Sequence, residues 1–580
     1  MSQWINRCLG FCLLVSVAIL PATAVGQTPD SHAVASAHPD ATAAGRRILD
    51  AGGNAFDAAV AVAAALAVVE PYSSGIGGGG FFLLHRAADG SDVFVDARET
   101  APAAASADMY LDEAGEFVRE RSLNGGLAAA IPGLPAALAH LAATYGRLPL
   151  AESLAPAIAL ARGGFESGAR YQMMAGYRQA ALAGSPEAAA VFLVDGRPPE
   201  PGTRIVQPDL ARTLEQIAAD GADSFYRGTL AEQLVAGARA AGGVWTLADL
   251  AGYRIRKRAP VIGQYRGIRV VSAPPPSSGG IVLIEALNIL ERFDLEEFEP
   301  ARRVHAVVEA MRRAYRDRAD FLGDPDFTPI PVDQLLDKDY ADWLARDLDL
   351  GRATPSTALP PIGAKPEGRD TTHFSVLDSA GNRVAATLSI NTPFGSTVMP
   401  LGTGVVLNNE MDDFSARPLT PNTYGLVGAG ANAIAPGKRP LSSMTPTFLE
   451  SESRVGVLGT PGGSRIISMV LIGALEFARG APATDWVSAV RYHHQYLPDE
   501  VQFESGGFEP GLAAALRAMG HTLNEVSRNY GNMQAILWDR ETGRVEAASD
   551  PRGEGGSAVW PGQQSLSVDS SRSKSSSAGR

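Results

Sequence analysis

The stretch GRDTTHFSVLDSAGN, residues 368–382, governs how the rest of the chain is read. Residues 372–377 alternate roughly between polar and apolar and then meet the turn Asp378-Ser-Ala-Gly-Asn382, the pattern of the first strand of a hairpin. The nineteen residues before Thr371, 352–370, are rich in Pro, Gly, Ala and Thr and have no period. Loops of that length inside compact proteins are uncommon and are usually functional or disordered. A threonine at the head of such a strand has two readings. It is an ordinary β-branched residue, or the chain is cut at Asp370–Thr371. A cut would make Thr371 an N-terminal nucleophile with its own α-amine as base. That amine has a reference pKa of about 8 and can accept a proton at neutral pH.

Working outward, the bulk numbers set limits. The 580 residues are 45% hydrophobic and 19% charged, enough to fill a large core. The formal net charge of −13 argues against a nucleic-acid partner, which needs a basic face. Residues 1–26 read as a signal peptide. Arg7 supplies the positive start, residues 8–20 are an apolar run too short to span a bilayer, and Pro21-Ala-Thr-Ala24 is a small-residue cleavage site. The expected location is periplasmic or secreted, without a stable membrane anchor. Both cysteines, Cys8 and Cys12, lie in this segment, so the mature chain uses no disulfide and no thiol chemistry.

Along the chain, residues 41–69 form an Ala-rich helical region broken at Gly52-Gly53-Asn54. A glycine run at 75–80 leads into strands at 81–85 and 92–96. Residues 125–240 are mostly helical; Leu134, Leu138, Leu141 and Tyr145 share one face, and 154–162 reads similarly. A strand at 267–271 precedes helices at 281–292 and 301–321. Strands are expected at 373–377, 383–390, 404–408 and 455–459, and helices at 466–479 and 510–519. The Gly/Ser/Arg-rich residues 553–580 read as disordered. Strands and helices in both halves imply one α/β unit built from two segments.

Three motifs invite chemistry. Gly75-x-Gly77-x-x-Gly80 fits the dinucleotide fingerprint, but a helix precedes it and a strand follows, the reverse of the order required. Adjacent His493 and His494 face different ways in a strand or a helix and do not suggest a shared metal. Gly459-Thr-Pro-Gly462-Gly463-Ser-Arg465 does run from strand to helix. It is a plain turn, or its N–H groups face an anion; a developing oxyanion is as good a ligand as a phosphate.

Residues 371–375, Thr-Thr-His-Phe-Ser, resemble the processing site of the γ-glutamyltranspeptidases. Asp96-Ala-Arg98-Glu, Pro274-Pro-Pro-Ser-Ser-Gly-Gly-Ile281, Asn408-Asn-Glu-Met-Asp-Asp-Phe414, Pro440-Leu-Ser-Ser-Met444, the Gly459–Arg465 turn and Ala548-Ser-Asp-Pro-Arg552 are similar to family segments, in the family order, across roughly residues 32–552. The resemblance implies an α/β (α+β) fold, the four-layer αββα sandwich of N-terminal-nucleophile hydrolases. It implies two subunits cut from one precursor: a large one, 27–370, and a small catalytic one, 371–560, followed by a disordered tail, 561–580. Thr371 would be the nucleophile and first residue of the small subunit, with Asp370 before the cut.

The remaining roles follow by motif. Ser389 would support the nucleophile, in a position where the family often has threonine. Gly462 and Gly463 would bind the oxyanion. Arg98 would hold the substrate's α-carboxylate as a bidentate pair, aided by Ser442 and Ser443. Asn391, Glu410 and Asp413 would receive the α-ammonium. Tyr424 would gate the site from a lid loop at 417–424. No cofactor and no metal are implied. The expected partners are glutathione or other γ-glutamyl donors, with water, amino acids or dipeptides as acceptors. Two rivals stand beside this reading: a glutaryl or cephalosporin acylase of the same fold, which needs no ammonium pocket, and an exported amino-acid-binding protein that does no chemistry.

Overall fold

The computed structural model describes residues 27–359, 371–415, 430–527 and 529–562. The signal segment, Asp370, the lid loop with Tyr424, and the tail beyond 562 lie outside the described residues.

Two large antiparallel sheets carry the fold. The first contains β1 (Ser31–Ser36), β2 (Gly79–Arg86), β3 (Ser91–Ala97) and β4 (Arg256–Arg258) from the first segment. The second contains β5 (Val261–Tyr265) and β6 (Ile268–Ser272). After residue 371 the chain adds β7 (Thr372–Leu377) and β8 (Arg383–Ser389) to the first sheet. It then adds β9 (Thr447–Glu450), β10 (Arg454–Gly459), β11 (Gln534–Asp539) and β12 (Val545–Ser549) to the second and returns β13 (Gly556–Pro561) to the first. The strand orders are β13-β1-β7-β8-β2-β3-β4 and β12-β11-β10-β9-β6-β5. Each sheet therefore mixes strands from both sides of residue 370, as the two-segment reading expects.

Strand alternation sorts side chains between layers. Phe82, Leu84, Phe374, Val376, Val384 and Ala386 pack outward with α1 (Pro39–Asp50) and α2 (Ala55–Val69). Their neighbours Phe81, Leu83, Leu377 and Ala385 point inward, into one core with Val455, Val457 and Ile536 of the second sheet. The outer face of the second sheet is covered by α3 (Gly279–Leu290) and α5 (Ile466–Ala478), with α4 (Pro300–Phe321) packed on α3. The result is the four-layer αββα arrangement. Strands β7 and β8 are buried on both faces, so the alternation in the sequence is between two cores rather than between core and water.

The break between α1 and α2 is a capping box: Asn54 Oδ1 accepts from the N–H of Asp57, and Asp57 Oδ2 accepts from that of Asn54. The glycine run 75–80 is a close backbone crossing. A Cβ on Gly77 would stand 2.1 Å from the Val406 carbonyl oxygen, and one on Gly78 2.2 Å from that of Ser389. That accounts for the pattern without a phosphate.

Two expectations are corrected. Residues 404–408 are not a strand. Gly404 has φ of +65°, and Leu407 exchanges backbone hydrogen bonds with Ser396 and Val398, closing a local loop over the glycine run instead of a ladder. Residues 556–561, expected to be disordered, are β13, paired with β1 along its whole length. Trp560 anchors it, donating to Asp50 Oδ1 at 2.8 Å beneath the Arg46 guanidinium. Among the described residues, no helix is long and apolar enough to cross a membrane.

Candidate active site

Thr371 precedes the central strand β7 and is 4% exposed. Leu388 pairs with Thr372, so the antiparallel register carried one step further sets Ser389 opposite Thr371. The next residue is pinned: Thr372 Oγ1 donates to the buried Glu70 carboxylate at 2.6 Å. Thr371 and Ser389 line a cavity of about 20 Å³ together with Arg98, Arg318, Glu410, Asp413, Ser442, Ser443 and Gly463. That is room for about one water.

Arg98 follows the end of β3. Its backbone N–H donates to Asp96 Oδ1 and its carbonyl accepts from the Tyr253 hydroxyl. Its side chain reaches both acids expected to take an ammonium: Nη1 pairs with Glu410 Oε1, and Nη2 with Asp413 Oδ2 at 2.5 Å. Glu410 and Asp413 open and close one 3₁₀ turn, where residues three apart fall on the same side. Asn408 fixes that turn. Its Oδ1 accepts from the N–H groups of Glu410 and Ala130, and its Nδ2 donates to Gly77 O and Ala130 O.

Three carboxylates, Glu99, Glu410 and Asp413, crowd one guanidinium. Burial pushes Glu410 up to about 7, Arg98 pulling it back and Asp413 adding to the rise. Burial, with the Glu410 charge, holds Glu99 far above the usual carboxylate range. Burial works against the Arg98 charge, but the three acids outweigh it and raise its pKa.

On the other wall, Ser442 Oγ accepts from the Met444 N–H at 3.1 Å, and Ser443 Oγ accepts from Arg318 Nη2 at 3.2 Å. The turn at the foot of α5 has φ of +144° at Gly462 and +56° at Gly463, which L side chains rarely adopt. The Tyr315 hydroxyl, from α4, donates to the Ser464 carbonyl and holds this turn against the helix. Gly463 reaches the cavity; Gly462 and Asn391 do not line it. Asn391, at φ of +72°, stands behind Ser389, donating its N–H to Ser389 Oγ at 2.7 Å and its Nδ2 to Asn409 O.

His493 and His494 part company as expected: His493 meets Ser468 and Gln495, and His494 meets Asp499. Burial first, aided by Arg465 for one and Arg312 for the other, lowers their pKa values to about 3 and about 4. Among the described residues one grouping has metal-ligand types in reach, His305, Glu309 and His521. Its atoms already serve one another: His305 Nδ1 lies 2.7 Å from His521 Nε2, and Glu309 is held by Arg312 and Arg313. The sequence reading missed Arg318, which sits among Arg312, Arg313 and Arg316 in a helix whose charge run looks solvated. Ser278 lies within the Pro274–Ile281 motif, but nothing in that motif announces its contact with Arg318.

The comparisons with known proteins agree with this geometry. The gamma-glutamyltranspeptidase profile matches residues 41–560. The glutathione hydrolase proenzyme of Escherichia coli (strain K12) is 43% identical over 527 residues, 90% of each chain. A cephalosporin acylase structure from Bacillus halodurans superposes with a TM-score of 0.82 at 30% identity, covering 94% of this chain and 99% of that one. The Helicobacter pylori gamma-glutamyltranspeptidase structure gives 0.55 at 40% identity over 56% and 94%. With one cavity joining the threonine that heads the central strand to a buried arginine and its acids, and with this extent of likeness, the chain belongs to the gamma-glutamyltranspeptidase family and is an enzyme of the transferase and hydrolase type.

Proposed function

We propose that the mature enzyme takes the γ-glutamyl group from glutathione or another γ-glutamyl compound and passes it to water, an amino acid or a dipeptide. The observation that carries this reading is one cavity whose lining brings the hydroxyls of Thr371 and Ser389 together with Arg98, Glu410 and Asp413. A γ-glutamyl group is an amino acid at one end and an amide at the other, and this lining offers charged partners for the first and a hydroxyl nucleophile for the second.

The Thr371 hydroxyl first attacks the Asp370 carbonyl. The peptide C–N bond breaks as the hydroxyl proton passes to the nitrogen, which frees the Thr371 amine, and water then hydrolyses the ester to free the hydroxyl and the Asp370 carboxylate. That amine then takes the hydroxyl proton as Oγ attacks the γ-carbonyl. The N–H groups of Gly462 and Gly463 stabilise the oxyanion. The proton goes to the departing nitrogen, leaving a γ-glutamyl ester on Thr371. Water or an acceptor amine repeats the sequence in reverse. Substrate binding is an exchange of partners. The α-carboxylate replaces the two acids on Arg98, and the freed Glu410 and Asp413 turn to the α-ammonium. Ionic contacts are conserved, which limits the desolvation cost of a buried site. The leader at 1–26 supports export, and Tyr424 is proposed to close over the bound donor.

The likeness to a cephalosporin acylase keeps a second reading alive, hydrolysis of a glutaryl amide. A glutaryl group is a γ-glutamyl group without the ammonium. Comparing kcat/KM for γ-glutamyl-p-nitroanilide and glutaryl-p-nitroanilide decides between them. The proposal expects the first to win by at least about tenfold, since one charge-assisted hydrogen bond is worth roughly 1.5–3 kcal/mol. A preference for the glutaryl donor overturns it.

A further inference from the structure

A second buried guanidinium faces the same cavity, and its surroundings differ from those of Arg98. Arg318 lies in the last turn of α4, 3% exposed. Its contacts are hydroxyls: Nε donates to Ser278 Oγ at 2.9 Å and Nη2 to Ser443 Oγ at 3.2 Å. Ser278 in turn donates its hydroxyl to the Ser442 carbonyl at 2.7 Å, and its backbone N–H goes to the same oxygen. Arg318 thus braces the pair Ser442–Ser443 from the cavity wall, directly at Ser443 and through Ser278 at Ser442. Burial lowers its pKa to about 10, Tyr315 and Asp413 opposing that fall, so it stays charged at neutral pH.

The consequence is directional. A serine hydroxyl has one proton and two lone pairs. At Ser443 a cationic donor occupies a lone pair, and the hydroxyl proton donates to no described residue; Ser443 lines the cavity. The proton is therefore free to point into the cavity, and the cation on the lone pair polarises the O–H bond. Ser442 is built the same way, with the Met444 N–H in place of the guanidinium.

We propose that Arg318 is a positioning residue that makes Ser443 a one-way hydrogen-bond donor to the substrate's α-carboxylate and adds a second fixed positive charge beside it. This rests on the proposed placement of that carboxylate at Arg98, Ser442 and Ser443. Arg318 does not touch the reacting amide, so its effect falls on KM rather than kcat.

The test uses two donors on the full-length, self-processed enzyme: γ-glutamyl-p-nitroanilide, and 4-aminobutanoyl-p-nitroanilide, which is the same group without its carboxylate. Arg318→Gln is expected to raise KM for the first roughly ten- to a hundredfold, the range for one charge-assisted hydrogen bond, with kcat within about twofold. It leaves kcat/KM for the second donor within about twofold. In a Ser443→Ala background the same change adds less than about threefold, because the two act as one unit. Arg318→Lys keeps the charge but cannot span both serines, and carries the same test if the glutamine variant does not accumulate. Equal losses on both donors, or effects of Arg318→Gln and Ser443→Ala that simply multiply, overturn the proposal and leave Arg318 a packing element. Arg98→Lys is the reference. If it separates the donors and Arg318 variants do not, this inference alone fails. If neither separates them, the placement of the carboxylate is itself wrong.

Discussion

The two sets of side chains that line the cavity are built from opposite materials. On the Thr371 side the lining is hydroxyls and backbone: Thr371 and Ser389, with the Gly462–Gly463 turn held by the Tyr315 hydroxyl, and Ser389 meets Glu410 where the two sets touch. Around Arg98 the groups are ionic and over-acidic, three carboxylates against one guanidinium. The difference teaches which set does which task. A neutral set lets an oxyanion appear without a counter-charge already in place. An ionic set can read an amino acid by trading partners. Changes at the first should act on the chemical step and changes at the second on donor choice.

Thr371→Ala is the severest break. It should remain a single chain on a denaturing gel and show no turnover, because in the proposed mechanism one hydroxyl serves both the cut and catalysis. Thr371→Ser should still cut, more slowly. Efficient cleavage of the alanine variant would remove the autocatalytic account. Next is Arg98→Lys, which keeps charge but loses the planar fork. Truncating one partner of a buried charged pair costs roughly 2–5 kcal/mol. KM for γ-glutamyl donors should rise at least tenfold while the two-band pattern persists; an unchanged KM takes Arg98 out of the site.

Asp413→Asn should follow, lowering kcat/KM for γ-glutamyl-p-nitroanilide roughly ten- to a hundredfold and leaving the glutaryl donor almost untouched. A parallel loss on both would mean that Asp413 shapes the ionic set without reading charge. The smallest expected effect is a pH dependence. Glu410, raised to about 7, must be ionised to hold an ammonium, so donor binding should weaken as pH falls through 7, at most about tenfold per unit. Arg98, Arg318 and Asp413 line the same cavity, and Glu99, held well above the usual carboxylate range by burial and the Glu410 charge, lies 3.9 Å from Arg98; the two guanidiniums stay charged across this range. Glu410→Gln should flatten KM between pH 6 and 8. A slope that survives belongs to another group, the Thr371 amine being the first to examine through kcat.

The neutral set was the more legible in the sequence. Thr371 stood out because a long aperiodic stretch ran into a strand, and the Gly459–Arg465 turn had the strand-to-helix order that makes an anion site. The ionic set was visible only through resemblance: Arg98 and the Glu410–Asp413 turn lie 312 residues apart, and nothing local announces their pairing. Arg318 was hidden by company: Arg312 and Arg313 are as buried as it is, and periodicity cannot tell which arginine of a charged helix lines a cavity. The misread strand at 404–408 and the missed β13 share a cause. Apolar composition suggested a ladder where the partner was a glycine crossing, and Gly/Ser composition concealed an edge strand whose pairing comes from β1, more than 500 residues away.

The interleaving of strands in the first sheet has a kinetic consequence. β7 and β8 lie between β1 and β2, and β13 flanks β1 on its other side. A chain cut at the proposed site would consist of two threaded pieces, neither of which contains a complete sheet. Before the cut, renaturation is a first-order process. Afterwards it requires an encounter, and its rate and yield should depend on concentration. The cut enzyme would then be a product of its history, easier to preserve than to remake, whereas the Thr371→Ala precursor should refold from denaturant at any dilution.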